Sequence, residues 1–90
     1  MQSQNTTHIS IELYGMFRGI TGKKRCELSV SPVLQEAVKD VKKYLKTIKI
    51  SSSYILYIND TFLPSALEQH PDSVISEGDV FKVIPIVAGG

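Results

Sequence analysis

Residues 80–90 read Val80-Phe81-Lys82-Val83-Ile84-Pro85-Ile86-Val87-Ala88-Gly89-Gly90. From Val80 to Val87 only Lys82 is polar, and the turn Glu77-Gly78-Asp79 precedes the run. An apolar stretch of this length, bounded by turn residues and rich in valine and isoleucine, predicts a strand inside a sheet rather than at its edge. Alternation sends Phe81 and Val83 toward a core and Val80, Lys82, Ile84 and Ile86 to the opposite face. Pro85 has no N–H to give to a ladder, so strand pairing is expected to end near it. The chain beyond it then projects as a tail. A central strand needs neighbours, and the rest of the sequence has to supply them.

At the other end, His8-Ile9-Ser10-Ile11-Glu12-Leu13-Tyr14-Gly15-Met16-Phe17 alternates with period two. Ile9, Ile11, Leu13 and Phe17 share one face; Ser10 and Glu12 share the other. Gly19 and Gly22 punctuate a turn leading to Lys23-Lys24. Arg25–Val30 alternates again, with Cys26, Leu28 and Val30 inward, and the two runs form a hairpin. At Ser31-Pro32 the period changes. Serine is a favoured N-cap and proline is tolerated at the first helical position. Leu34, Val38, Val41, Leu45 and Ile48 then follow at spacings of four and three, the apolar stripe of a helix. Lys39, Lys42, Lys43 and Lys46 occupy its other side. Its acids (Glu36, Asp40) come first and its lysines last, as the helix dipole favours. Ser51–Ser53 reads as a loop, Tyr54–Ile58 as a strand and Asn59-Asp60 as a turn. Thr61–Leu63 reads as a short strand ended by Pro64. Ser65–Ser76 reads as irregular, with one helical turn at Ala66–Gln69.

The order is therefore strand, strand, helix, strand, short strand, strand. One helix packs its stripe on one face of a mixed sheet, which makes an α+β two-layer domain. The last strand lies beside the first and parallel to it. That arrangement is the β-grasp, or ubiquitin-like, fold, with four to five strands on one helix. The expected organisation is a flexible tail over residues 1–7, the domain over 8–87 and a flexible Gly-Gly tail over 88–90.

Composition narrows the function. Ninety residues make one domain, and 42% hydrophobic content supports one small core. Ten basic against nine acidic residues give a net charge of +1, which points away from a dedicated nucleic-acid binder and from a polybasic membrane anchor. No apolar run reaches the length of a membrane span, and Met1–Thr7 lacks the blocks of a signal peptide. A cytoplasmic setting is expected. Cys26 is the only cysteine, so the fold rests on packing rather than on disulfides or a multi-cysteine zinc site. On the inward face of a strand it reads as a small core residue. His8 and His70 have no ligand spacing around them, and no metal or bound cofactor is called for. Lys23-Lys24-Arg25 reads as a solvated edge.

The carboxyl end carries the chemistry. Glycine has no side chain and a permissive backbone, so Gly89-Gly90 makes the thinnest tail a polypeptide can have. Such a tail can enter a narrow channel in another protein and present its terminal carboxylate. A carboxylate is a poor electrophile, but adenylation converts it to a mixed anhydride that sulfur or amine nucleophiles can attack.

These features resemble the MoaD/ThiS family of sulfur-carrier proteins. The resemblance rests on Ile11-Glu12-Leu13-Tyr14-Gly15-Met16-Phe17-Arg18, the helix after the hairpin, the turn Glu77-Gly78-Asp79, and the tail Ile84-Pro85-Ile86-Val87-Ala88-Gly89-Gly90. It implies a carrier co-substrate rather than an enzyme. Gly90, preceded by Gly89, would be adenylated by a ubiquitin-activating-enzyme-like partner. Converted to a thiocarboxylate, it would donate sulfur to a synthase subunit in molybdopterin or thiamine-type cofactor biosynthesis. Ile84, Pro85, Ile86, Val87 and Ala88 would contact those partners. Ile84 and Ile86 depart from the Phe and second Pro usual in MoaD tails, which leaves the pathway open. Two further relatives share the fold and much of the tail: ubiquitin-like modifiers conjugated through their last glycine, and the lambda-type phage tail assembly protein.

Overall fold

The structure is a computed structural model and describes residues 5–50 and 53–86. The elements are β1 (Thr7–Leu13), α1 (Met16–Thr21), β2 (Arg25–Val30), α2 (Leu34–Thr47), β3 (Tyr54–Ile58), β4 (Thr61–Phe62), α3 (Leu63–Gln69) and β5 (Val80–Pro85). One five-stranded sheet has the order β2-β1-β5-β3-β4. β5 is central: it runs parallel to β1, with Ile11 opposite Phe81, and antiparallel to β3, with Leu56 opposite Val83. This is the mixed sheet of a β-grasp domain.

The core lies between this sheet and α2. Ile9, Ile11 and Leu13 of β1, Phe81 and Val83 of β5 and Leu56 of β3 are buried against Leu34, Ala37, Val38, Val41 and Leu45 of α2. Ile48, last of the predicted stripe, is half-buried against the same cluster. Cys26 is buried on the inward face of β2. α2 ends in a Schellman motif: Lys49 N–H donates to the Lys46 carbonyl at 3.2 Å and Ile50 N–H to the Leu45 carbonyl at 2.9 Å. The residue that turns left-handed is Lys49, at φ 75°, where glycine is the usual occupant. Ile50, buried, supplies the hydrophobic contact that holds the turn.

The structure corrects several local expectations. β1 begins at Thr7, inside the segment read as a tail; Thr7 faces Val30 across the ladder and is buried. β1 also stops at Leu13 rather than running to Phe17. Gly15, at φ 57° and ψ −135°, breaks it, and the β1–β2 connection is the short helix α1 rather than a plain turn. Phe17 reaches the core from α1, packing edge-on to Tyr54 with ring centroids 6.4 Å apart.

The entry to α2 differs too. Ser31-Pro32 stays outside the helix, which starts after an extended Val33. Its first N–H groups find distant carbonyls: Leu34 donates to Ser73 at 2.8 Å and Gln35 to Pro71 at 3.1 Å. The Ser31 hydroxyl accepts from Val33 N–H at 3.2 Å, and Asp40 accepts from Ser31 N–H at 3.0 Å. A tertiary strap thus does what a local cap was expected to do. The strap is the segment read as irregular. It opens with α3, a full helix with Pro64 in its first turn, and then holds α2 through the Val33–Val74 bridge and Ile75 N–H to the Pro32 carbonyl.

Candidate functional site: the outer sheet face and the tail exit

α2 covers one face of the sheet. The other face carries the outward residues of each strand. On β5 these include Lys82 and Ile84, both partly exposed. The β3–β5 register sets Ile55 directly opposite Ile84 and Tyr57 directly opposite Lys82. Phe62 of β4 packs edge-on to Tyr57 at 5.7 Å and stays exposed. Ile55, Tyr57, Phe62 and Ile84 therefore make an apolar strip across the β5 side of this face. Directly opposed aromatic and β-branched residues hold such a strip together.

The β1 side is polar and internally satisfied. Ser10, only 4% exposed, donates from its hydroxyl to Glu27 at 3.0 Å and accepts from Arg25 Nη2 at 2.9 Å. Arg25 also approaches Glu12 at 3.4 Å. Arg25, read from sequence as part of a solvated edge, is thus the hub of a cross-strand network. Tyr14 donates its hydroxyl to Glu12 at 2.9 Å. Arg18 lies 5.5 Å above the Tyr14 ring and donates from Nε to the Leu13 carbonyl at 2.8 Å. The hydrogen bond to Glu12, then burial, push the Tyr14 hydroxyl pKa above its ordinary value. Between the two halves lies a shallow depression of about 270 Å³ lined by Tyr14, Tyr57, Asn59, Asp60, Lys82 and Ile84. Lys82 Nζ reaches Asp60 at 3.3 Å across it, and that bond raises the lysine pKa.

The chain leaves this face at the end of β5. Pairing with β3 runs as far as Pro85, opposite Tyr54, and Ile86 N–H makes one more bond, to the Ser53 carbonyl at 2.9 Å. Ile86 is 51% exposed. Pro85 is seated against Gly15 at the start of α1. Met16 and Ile20, one turn apart on that helix, are both exposed. Of the residues named from sequence as partner contacts, Ile84, Pro85 and Ile86 are brought together at this exit. Val87, Ala88, Gly89 and Gly90 lie outside the described residues. Ile55 and Tyr57 were not singled out in the sequence, although the alternation of Tyr54–Ile58 marks them as one face.

Elsewhere, His8 is exposed and its Nδ1 lies 3.4 Å from Glu77. Among the described residues no cluster of His, Cys, Asp and Glu is placed to hold a metal ion, and no helix is long and apolar enough to cross a membrane.

The sequence that builds this sheet and its exit strand matches a family model. The model of the ThiS family matches residues 11–90. The chain belongs to the ThiS family. The match begins within β1 and runs through Gly89-Gly90. No curated protein matches the sequence.

Solved structures agree on the fold of this ThiS-family chain. Small archaeal modifier protein 1 from Methanosarcina acetivorans is similar with a TM-score of 0.66 at 16% identity, over 97% of this chain and 100% of that one. A chain of the complex of subunits 1 and 2 of the molybdopterin-converting factor from Helicobacter pylori is similar at 0.58 and 15%, over 93% and 100%. Urm1 from Trypanosoma brucei is similar at 0.55 and 17%, over 98% and 100%. At these identities the likeness is one of fold: all are ubiquitin-like β-grasp proteins.

Proposed function

We propose that this ThiS-family protein is a sulfur carrier whose reactive group is the carboxylate of Gly90. The observation that carries the proposal is the family match extending through Gly89-Gly90, joined to a partly exposed apolar strip that reaches the end of β5. In the proposed cycle a Gly90 carboxylate oxygen attacks the α-phosphorus of ATP, releasing pyrophosphate. Hydrosulfide from a sulfur donor then attacks the acyl carbon and displaces AMP; the resulting thiocarboxylate passes its sulfur to an acceptor held by a synthase subunit in molybdopterin or thiamine-type cofactor synthesis, and water restores the Gly90 carboxylate. The protein is a co-substrate in this cycle; an adenylating enzyme of the ubiquitin-activating type catalyses the first step. Ile84, Pro85 and Ile86, with Ile55, Tyr57 and Phe62, form the face that docks on these partners, and Val87 and Ala88 lead the tail into the catalytic channel. An exposed apolar surface of this kind suits a partner better than solvent. The setting we propose is the cytoplasm, where ATP and reduced sulfur donors are at hand.

Incubation with ATP, the cognate adenylating enzyme and a sulfur donor is expected to give the mass gain of one oxygen replaced by sulfur. Deleting Gly90, or adding one residue after it, abolishes that gain. Gly89→Val impairs it, because a β-branched side chain thickens and stiffens the tail. If the enzyme does not distinguish full-length from truncated chain, the proposal fails.

The likeness to small archaeal modifier protein 1 supports a second reading, conjugation of Gly90 to lysine amines. The adenylation step is shared and only the nucleophile differs. Recovery of the chain in isopeptide linkage to other proteins favours it.

A further inference from the structure

A second concavity, of about 340 Å³, opens between β3, α2 and α3, and Ile55 and Phe62 at the edge of the apolar strip also border it. Val38 and Lys42 line it from α2, Leu56 from β3, and Phe62, Pro64 and Leu67 from β4 and α3. Its walls are mainly apolar, with Lys42, Ser53 and Tyr54 supplying the polar groups.

The groove runs along an open strand edge. β4 pairs with β3 only at Tyr57 and Ile58 before the chain turns away into α3. The Tyr54–Leu56 half of β3 therefore has no strand on its outer side among the described residues. The Ser53 carbonyl points to β5, where it accepts from Ile86. By the alternation of a strand, Tyr54 and Leu56 then direct their peptide groups outward, along the groove. An open edge beside an apolar trough is the geometry that receives an extended peptide as an added strand.

Charge selects among such peptides. From Val41 to Asn59 there is no acidic residue, while Lys42, Lys43, Lys46 and Lys49 fall in this stretch. Lys46 stands one turn from Lys42 on the same side of α2. Neither is paired with a carboxylate among the described residues, although Lys39, on the preceding turn, reaches Glu36 at 3.6 Å. We propose that this groove binds an extended segment of a partner protein, with apolar side chains at alternate positions and acidic residues beside them. The segment pairs with the Tyr54–Leu56 edge, seats its apolar side chains between Val38 and Leu67, and sets its carboxylates at Lys42 and Lys46.

The test is selection of random linear peptides displayed on phage against the full-length protein. Enriched peptides are expected to alternate apolar residues and to carry Asp or Glu at one flank. Labelled synthetic copies should lose affinity by roughly tenfold or more on Lys42→Glu, a reversal of charge at the contact. Pro64→Glu should act likewise, and an acidic residue in the first turn of α3 is compatible with that helix. N-methylation of alternate amides in the peptide should abolish binding, and the amide resonances of Tyr54–Leu56 should shift on titration. Failure to select any peptide overturns the proposal. So does selection of peptides indifferent to both variants, or of peptides lost on Ile84→Asp, which would place them on the outer face. Concentration-dependent dimerisation broken by Lys42→Glu would make a second copy the occupant and overturn it as well.

Discussion

Gly15 and Pro85 are in contact although 70 residues of sequence separate them: a Cβ built on Gly15 would stand 3.0 Å from Pro85 Cγ and 3.6 Å from Cδ. The contact joins the start of α1 to the last residue of the central strand. Backbone conformation enforces the same choice of residue, since φ 57° with ψ −135° is territory that side chains other than glycine's rarely enter.

Gly15→Ala is therefore expected to destabilise the fold by about 1–3 kcal/mol, read from urea denaturation. Steric contact and backbone strain can be separated. Pro85→Ala removes the ring, so the double variant should recover only part of the loss. Full recovery would mean that the Gly15 backbone is unstrained.

Lys49 offers the opposite experiment. It occupies the left-handed position of the α2 Schellman motif, at φ 75°, and its N–H is already bonded to Lys46. Lys49→Gly relieves a left-handed penalty of roughly 1–2 kcal/mol, offset in part by the greater freedom of glycine in the unfolded chain. A net rise in stability is expected, again by urea denaturation. A fall would show that the lysine side chain does more at this helix end than the backbone geometry indicates.

Alkaline pH should weaken the fold. The Tyr14 pKa is raised from 10.0, chiefly by the hydrogen bond to Glu12; that of Tyr44 by its hydrogen bond with Cys26; and that of Tyr54 by burial. A group whose pKa is raised on folding contributes stability that is intact below its unfolded value and lost as pH climbs through the folded one. The melting temperature should accordingly hold up to about pH 10 and fall beyond it. Lys82, raised by its bond to Asp60, acts in the same direction. Tyr54→Phe should flatten the fall, and an unchanged slope would remove Tyr54 from the account.

Much of this architecture was legible because it depends on local periodicity. The inward set Phe81 and Val83 and the buried stripe of α2 follow from alternation and helical spacing, the central place of β5 from its apolar run, and its termination from the missing N–H of Pro85. What escaped depends on distant partners. α1 contains Gly19 and is short, and its order comes from Phe17 lodging against Tyr54 and Arg18 bonding the Leu13 carbonyl. The true start of α2 is set by carbonyls of Pro71 and Ser73, which no local cap rule can see. The candidate site divides the same way. Ile84, Pro85 and Ile86 are consecutive and were named from the tail pattern. Ile55 and Tyr57 join them only through the β3–β5 register.

The amino-terminal boundary follows from the ladder. Asn5 and Thr6 are exposed and outside β1, whereas Thr7 is only 8% exposed and faces Val30. Removing residues 1–6 should change the melting temperature little. Removing Thr7 as well uncovers the end of the β1–β2 ladder and should lower it. Equal melting temperatures for the two truncations would show that the Thr7–Val30 pair contributes nothing.

The two faces of β5 give the most discriminating prediction for function. Val83 is fully buried and Ile84 is partly exposed opposite Ile55. Ile84→Asp places a carboxylate at the surface, beside Lys82 on the same face, and the fold should persist with near-native thermal stability. Val83→Asp places the same carboxylate in the core with no partner and should unfold the domain, since an unpaired buried charge costs several kcal/mol. On the proposed function, Ile84→Asp also breaks the apolar strip that docks the adenylating enzyme. Thiocarboxylate formation at low enzyme concentration should fall while the circular dichroism spectrum stays native. Raising the enzyme concentration should restore it, because docking has been weakened while the tail is untouched. Gly90 deletion should remain inactive at any concentration. If Ile84→Asp unfolds the domain, the outer face has been misassigned. If it folds and is carried through the reaction as fast as the native chain, the partner does not use this strip, and the docking surface lies on another face.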